Sequence, residues 1–310
     1  MSALDAFFYE AFPEEAAELR ALLPPSLRAG FAPETLQESG QAAPPARLLC
    51  IRTQSKIPAP WFAGLDGVLA RTTGWDHLVG LPVPSGHLPE YCTRAVAEHA
   101  MLLWAALLRR LPRQAAQFAR FDRGGLTGGE CAGRRLLVVG VGRIGHEIAR
   151  IGRGLDMEVR GVDLVRRHAD VEYVSPGEGI PWADVIACAM NLTAENRGWF
   201  DAARLRVARR GAIFVNVSRG ELSPAAGLAR LLDEGVLGGV GLDVYEDEAT
   251  LAVALRAGRG SFPLAGRPDA LLTPHNAFNT AEAVERKARQ TVAEVEKFLK
   301  ERRFSWPPGA

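Results

Sequence analysis

Leu136-Leu137-Val138-Val139-Gly140-Val141-Gly142-Arg143-Ile144-Gly145 is the stretch on which the reading of this chain turns. Four apolar residues, two of them β-branched, suit a buried strand. Ile144-Gly145-His146-Glu147-Ile148-Ala149 then opens a helix, so the three glycines occupy a strand-to-helix turn. A Gly-x-Gly-x-x-Gly spacing has a mechanism in that setting. Gly140 makes the turn, Gly142 lets the backbone approach a pyrophosphate, and Gly145 lets the helix sit close to the strand. Arg143 and Ile144 fall at the helix start, whose free amides and dipole favour phosphate groups.

An acidic residue should end the following strand and accept hydrogen bonds from a ribose. Asp163 does so, closing the Glu158–Val162 run eighteen residues beyond Gly145, near the expected spacing of ~20. Its charge repels a 2′-phosphate, which points to NAD rather than NADP. Arg166 and Arg167 follow closely and read as a solvated loop.

Downstream, Val185–Cys188, Ala212–Asn216, Val240–Leu242 and Ala270–Leu272 read as further strands, most of them separated by helical segments. This alternation predicts an α/β doubly wound parallel-sheet (Rossmann) domain. Upstream, Ala6–Tyr9, Arg47–Ile51 and Val68–Arg71 read as strands, with a helix over Pro13–Leu23. They predict a smaller α/β unit, which the Pro-rich Leu81–Pro89 interrupts. Val96, Ala100, Leu103 and Leu107 place a long helix over Thr93–Arg110, ended by Pro112 and a glycine-rich linker, Arg123–Gly129. The final helix, Thr280–Arg302, is expected to pack back on the first unit. The division expected is therefore 1–94 with 277–310, and 95–276 inserted between them.

Composition removes several classes. Of 310 residues, 47% are hydrophobic and 24% charged, with 37 Lys+Arg against 36 Asp+Glu. Such a balance supports large cores and gives no field for gathering nucleic acid or an anionic membrane. All but four of the basic residues are arginine, a skew attributed to base composition. No apolar run is long enough to span a bilayer, and Met1–Glu10 lacks the pattern of a secretory leader. Cys50, Cys92, Cys131 and Cys188 are far apart, which reads as unpaired core cysteines in a reducing cytoplasm, with no metal site.

Three strand ends carry reactive side chains: Asn216-Val217-Ser218-Arg219-Gly220-Glu221, Gly241-Leu242-Asp243-Val244-Tyr245-Glu246-Asp247-Glu248 and Leu272-Thr273-Pro274-His275-Asn276. Carboxyl ends of parallel strands are where ligands bind in this architecture. A guanidinium grips a carboxylate by two parallel hydrogen bonds, and an imidazole exchanges a proton near neutrality.

Here the sequence resembles the D-isomer-specific 2-hydroxyacid dehydrogenase family. The resemblance rests on Arg71-Thr72-Thr73-Gly74-Trp75-Asp76-His77, Ala95-Val96-Ala97-Glu98-His99, the glycine turn, Asn191-Leu192-Thr193, Val215–Gly220 and Thr273-Pro274-His275. It implies a flavodoxin-like substrate domain, discontinuous around the dinucleotide domain, and a homodimer. It implies Arg219 as the substrate-binding arginine, His275 as the acid/base and Glu248 as its carboxylate partner. It places Val217, Ser218, Asp243 and Val96 near the cofactor. The turn Thr73-Gly74-Trp75 is implied to hold the substrate carboxylate, and Arg52, after an early strand, is a further candidate in the same site. The small 2-oxo or 2-hydroxy acid itself stays open. The chain departs from the family at Ala249, where Glu248 is usually followed by proline, and Glu246 and Asp247 leave open which acid serves His275. Two other readings use the same scaffold: phosphite oxidation, with Arg52 and Lys56 as anion ligands, and an NAD(H)-sensing protein like the C-terminal-binding corepressors.

Overall fold

The computed structural model describes residues 4–309. The chain divides into two compact units, Met1–Cys92 with Asn279–Ala310, and Thr93–Phe278. The first unit opens with β1 (Leu4–Phe8), α1 (Pro13–Leu22), β2 (Ala29–Phe31), β3 (Ala46–Ile51), β4 (Gly67–Ala70) and β5 (Ser85–His87). The second comprises α2 (Thr93–Leu108), α3 (Leu111–Gln117), β6 (Arg135–Val139), α4 (Arg143–Gly154), β7 (Glu158–Val162), β8 (Glu172–Tyr173), α5 (Pro176–Trp182) and β9 (Val185–Cys188). It continues through α6 (Ala202–Leu205), β10 (Ala212–Asn216), α7 (Ala225–Asp233), β11 (Leu237–Leu242), α8 (Glu248–Arg256) and β12 (Ala270–Leu272). The last helix, α9 (Ala281–Glu301), belongs to the first unit and packs on α1.

All pairs in the larger sheet are parallel, in the order β12-β11-β10-β9-β6-β7-β8. The order reverses between β6 and β9, the switch point that opens a crevice at the strands' carboxyl ends. Side chains alternate in direction along each strand. Leu137, Val139, Ile186 and Phe214 therefore share a core with Ile180 of α5 and Leu228 and Leu231 of α7. α2 and α4 pack together and lie against the sheet, α2 on β10 and β11 and α4 on β6 and β7. A Cβ on Gly241 would lie 3.0 Å from Leu103, so the bare strand lets α2 settle on it. Sequence alone shows only Val240–Leu242 of β11, because glycines thin the apolar pattern of Leu237–Leu242.

The smaller sheet runs β2-β1-β3-β4-β5, also all parallel. Short edge strands depart from the sequence reading: β5 lies within the Pro-rich segment, and β2 and β8 are of three and two residues. Pro112 also departs from it. It sits in the first turn of α3, where a missing amide breaks no helical bond, so it starts a helix rather than a linker. All four cysteines are free, and Cys131 is only partly buried rather than core. Burial pushes the Cys50 and Cys188 thiols up to about 12. Among the described residues no helix is long and apolar enough to cross a membrane.

One buried ionic cluster organises the smaller unit. Glu15 of α1 is fully buried between Arg71, at the end of β4, and Lys287 of α9, whose Nζ lies 3.0 Å away. Arg71 also donates to the Tyr9 carbonyl, which fixes the start of the Thr72–Trp75 turn. Burial opposes the Glu15 charge, but Arg71 and then Lys287 outweigh it and hold its carboxyl below the usual range. Burial pushes the Lys287 amine down to about 7; Glu15 opposes this, while Arg52 and Arg71 push the same way. Between about pH 7 and the ordinary lysine range the unfolded chain therefore binds more protons than the folded one, and the Lys287 contribution to stability rises with pH. Urea unfolding from pH 7 to pH 9 should show the native protein gaining stability relative to Lys287→Met. Parallel pH dependence of the two proteins would contradict this.

Candidate active site

Strands of the larger sheet end in register. Val162 pairs with Val139, Val139 with Cys188, Cys188 with Asn216, Asn216 with Leu242, and Leu242 with Leu272. Neighbours in this row are ~4.8 Å apart, and parallel pairing makes every loop leave from the same edge. Asp163, Gly140, Val217–Arg219, Asp243 and Thr273–His275 are therefore the groups just beyond one line of backbone.

The turn after β6 is built by close approaches. Gly140 has φ +89°, and a Cβ there would lie 2.4 Å from the Met190 backbone. On Gly145 it would lie 1.9 Å from the Gly140 carbonyl oxygen, so nothing larger lets α4 sit this near β6. Gly142 differs, because its Cβ would meet nothing within 4 Å. This open side, next to the first amides of α4, is a cradle that fits a pyrophosphate. Arg143 is exposed there and Ile144 half-buried. One Asp163 oxygen accepts the Val141 amide at 2.6 Å and the other the Val165 amide at 3.0 Å, tying the loop after β7 to the glycine turn. Arg166 and Arg167 are exposed on that loop.

Beyond β10, Val217 is buried and the Ser218 hydroxyl donates to the Met190 carbonyl. The buried Asn216 amide donates to the Arg219 carbonyl at 2.8 Å and to Ser223 Oγ at 2.7 Å, which pins the backbone at Arg219. The Arg219 guanidinium is half-buried and donates to the Ser218 carbonyl at 2.9 Å. Val96 lies on the buried face of α2.

Four acids follow β11 closely, and each has a separate place. Asp243 is buried, and its carboxylate accepts from Thr273 Oγ1 at 2.6 Å, the Asn276 amide at 2.9 Å and the Ala277 amide at 2.8 Å. The resemblance sets Asp243 beside the cofactor; its oxygens serve the histidine loop. Glu246 accepts the Ala225 amide at the start of α7 at 2.9 Å. Asp247 is exposed. Glu248, the first residue of α8, has both oxygens 2.9 Å from His275 Nδ1. Of the three acids left open by sequence, Glu248 is the one that meets His275.

His275 itself has φ +49°, a left-handed conformation costly for a side chain with a Cβ. Its amide donates to the Thr273 carbonyl at 3.0 Å. The same carbonyl accepts from the Tyr245 hydroxyl at 2.7 Å. Burial first, and then the Asp243 and Glu248 charges, raise Tyr245 above the usual phenol range, so it remains a donor.

In the smaller unit, Arg52 follows β3 and the Arg71–Trp75 segment follows β4. The Arg52 amide donates to Glu10 at 3.0 Å, and its guanidinium lies 5.7 Å from the Phe12 ring centre. Thr72 Oγ1 donates to the Gly74 carbonyl at 2.8 Å, and His87 Nδ1 to the Thr73 carbonyl at 2.9 Å. Thr73 Oγ1 is 3.1 Å from Cys92 Sγ, and Trp75 packs half-buried against that unit's core.

A family model described as "D-isomer specific 2-hydroxyacid dehydrogenase, NAD binding domain" matches residues 100–277, more than half of the chain. The chain belongs to the D-isomer-specific 2-hydroxyacid dehydrogenase family. It is thereby an NAD-dependent oxidoreductase by class. D-lactate dehydrogenase of Escherichia coli is 32% identical over 239 residues, 71% of this chain and 72% of that protein. The 2-hydroxyacid dehydrogenase A of Aspergillus oryzae is 29% identical over 277 residues, covering 82% and 79%. Among solved structures, D-2-hydroxyisocaproate dehydrogenase has a TM-score of 0.85 at 24% identity over 99% of this chain and 100% of that one, a likeness of fold.

Tyr245, Thr273, Asn216 and His99 lie in segments quoted above, but sequence reasoning gave none of them a role in this dehydrogenase. Each acts through a neighbour's backbone or hydroxyl, so no reactive pattern marks it. The glycine turn yields a test of its two kinds of glycine. Gly145→Ala should cost stability, about 1–3 kcal/mol as for other overpacked sites. Gly142→Ala should fold as well as the native chain and lose NADH affinity. Melting curves and fluorescence titration separate the two, and equal melting losses would contradict the assignment.

Proposed function

We propose that this dehydrogenase interconverts a small 2-oxo acid and its D-2-hydroxy acid, with His275 as acid/base, Glu248 supporting it and Arg219 gripping the substrate. The observation that carries the reading is the contact of both Glu248 oxygens with His275 Nδ1 at 2.9 Å. A carboxylate accepts only, so Nδ1 bears a hydrogen and Nε2 is the nitrogen left to serve the substrate. NAD rather than NADP is the cofactor proposed, supported by Asp163 beside the glycine turn. The larger unit would hold it by Gly140–Gly145 and Asp163, with Val217 and Ser218 bordering it; the smaller would serve the substrate through Arg52 and Thr73–Trp75.

The dinucleotide, when bound, supplies the hydride that reduces the carbonyl carbon. The carbonyl oxygen then carries negative charge and takes the His275 Nε2 proton. Glu248 stabilises the imidazolium before that transfer and fixes the ring's tautomer. Arg219 pairs with the carboxylate and the adjacent carbonyl, which orients the acid and polarises C=O. In oxidation His275 acts as the base. Nothing in the site favours phosphite oxidation or cofactor sensing over this reading.

Buried free thiols at Cys50, Cys92 and Cys188 support a reducing, cytoplasmic location. A homodimer is part of the same proposal. Leu102, Leu111, Phe118 and Phe121, on α2, α3 and the turn that follows, are 53%, 50%, 76% and 71% exposed, an apolar area that a second copy would cover.

NADH consumption with pyruvate, hydroxypyruvate and glyoxylate tests the activity. His275→Ala should lower turnover by ~10²–10⁴, the usual worth of general acid/base catalysis. Arg219→Gln should raise KM for the oxo acid. Glu248→Gln replaces the carboxylate that holds Nδ1 by a neutral amide, so kcat should fall with the oxo-acid KM little changed. Turnover untouched by His275→Ala would sink the assignment. For the assembly, light scattering should give two copies for the native chain and one for the Phe118→Asp, Phe121→Asp double variant; an unchanged mass would remove that interface.

A further inference from the structure

His99 lies on α2, outside the Arg219–Glu248–His275 group, and its side chain is largely buried. Its Nε2 is 2.9 Å from Thr273 Oγ1. The same hydroxyl is 2.6 Å from Asp243 Oδ1. A hydroxyl has one hydrogen, and an ionised carboxylate only accepts. The Thr273 hydrogen is therefore given to Asp243, and the hydroxyl oxygen accepts from His99. That order fixes the tautomer: His99 carries a hydrogen on Nε2. The histidine is also 3.6 Å from Asp243 Oδ1, too far for a direct hydrogen bond, so its hold on the carboxylate runs through Thr273.

What the carboxylate holds makes the relay consequential. Asp243 binds the Thr273 hydroxyl ahead of His275 and the Asn276 and Ala277 amides behind it. His275 sits between these anchors at φ +49°. A strained backbone of this kind persists only where its surroundings over-determine it. Every anchor that stiffens the Asp243 carboxylate therefore helps to keep the His275 ring facing Glu248. His99 is the anchor that comes from a different element, the long helix α2.

We propose that His99 is a positioning residue for the acid/base histidine: its Nε2–H orients the Thr273 hydroxyl onto Asp243, and Asp243 in turn holds the backbone that carries His275. This rests on the role of His275 proposed above, and one measurement below does not. His99→Leu removes the donor at similar volume. His99→Gln keeps an N–H donor of comparable reach.

Steady-state kinetics with the best oxo acid should show kcat about tenfold lower in His99→Leu, the scale of a modest misplacement at the reacting centre. The NADH dissociation constant should stay within about twofold, since His99 acts on the loop and not on the glycine turn. His99→Gln should recover most of kcat. In a Thr273→Val background, His99→Leu should have almost no further effect, because the relay is already cut. Hydrogen exchange of the Asn276 and Ala277 amides should be faster in His99→Leu than in the native chain. Exchange needs no turnover, so it still judges the relay if His275→Ala shows that the acid/base lies elsewhere. The proposal is overturned by an undiminished His99→Leu effect in the Thr273→Val background, by unchanged exchange, or by lost NADH affinity with kcat intact.

Discussion

Parallel strands ending in one row are the constraint on which the rest of this molecule depends. A dinucleotide and a small acid need contacts from loops far apart in sequence, and hydrogen-bonded register brings those loops together without any of them being long. From Val162 to Leu272 each step across the row is one strand spacing, so Asp163, the glycine turn, Arg219 and His275 are spaced by backbone geometry. Side-chain contacts then need to correct only a few ångströms. They do so with short local bonds: Asn216 on the Arg219 backbone, Asp163 on the Val141 amide, Asp243 on the histidine loop.

The distribution of negative charge beyond β11 shows how such corrections are divided. Asp243, Glu246, Asp247 and Glu248 fall within six residues, and gathered around one point they would repel one another. Instead Asp243 turns inward to backbone amides, Glu246 ties down the start of α7, Asp247 faces solvent and Glu248 alone reaches the imidazole. Two of these carboxylates are taken up by backbone donors. One acid is thereby left to act on one histidine.

Most of this architecture is legible in sequence where chemistry is local. Val185–Cys188, Ala212–Asn216 and Ala270–Leu272 are read to the residue because each is a short, mainly apolar run, and Glu158–Val162 because its strand must end at the acid expected after the glycine turn. The glycine turn is legible because steric need writes itself as glycine. Edge strands β2, β5 and β8 are not, since two or three residues carry no period. The choice among Glu246, Asp247 and Glu248 is also beyond sequence: it depends on the left-handed turn at Asp247, which swings Glu248 onto the first position of α8. His99, Thr273 and Tyr245 stay hidden for a different reason. Their work is done on a hydroxyl and a carbonyl, groups with no signature in composition or spacing.

Placing Glu248 at a helix start has an electrostatic consequence of its own. The N-terminal end of a helix carries roughly +0.5 of an elementary charge, which favours an ionised carboxylate and disfavours an imidazolium. The two effects do not cancel at His275. A full negative charge lies 2.9 Å from Nδ1, whereas the helix contributes about half a charge, spread over its first turn. The carboxylate, closer and carrying the larger charge, therefore dominates the field at the ring. None of the α8 residues is fully buried, so packing adds little to hold this helix in place. The acid at its first position and the histidine that the acid meets thus help to hold the helix as well as being placed by it.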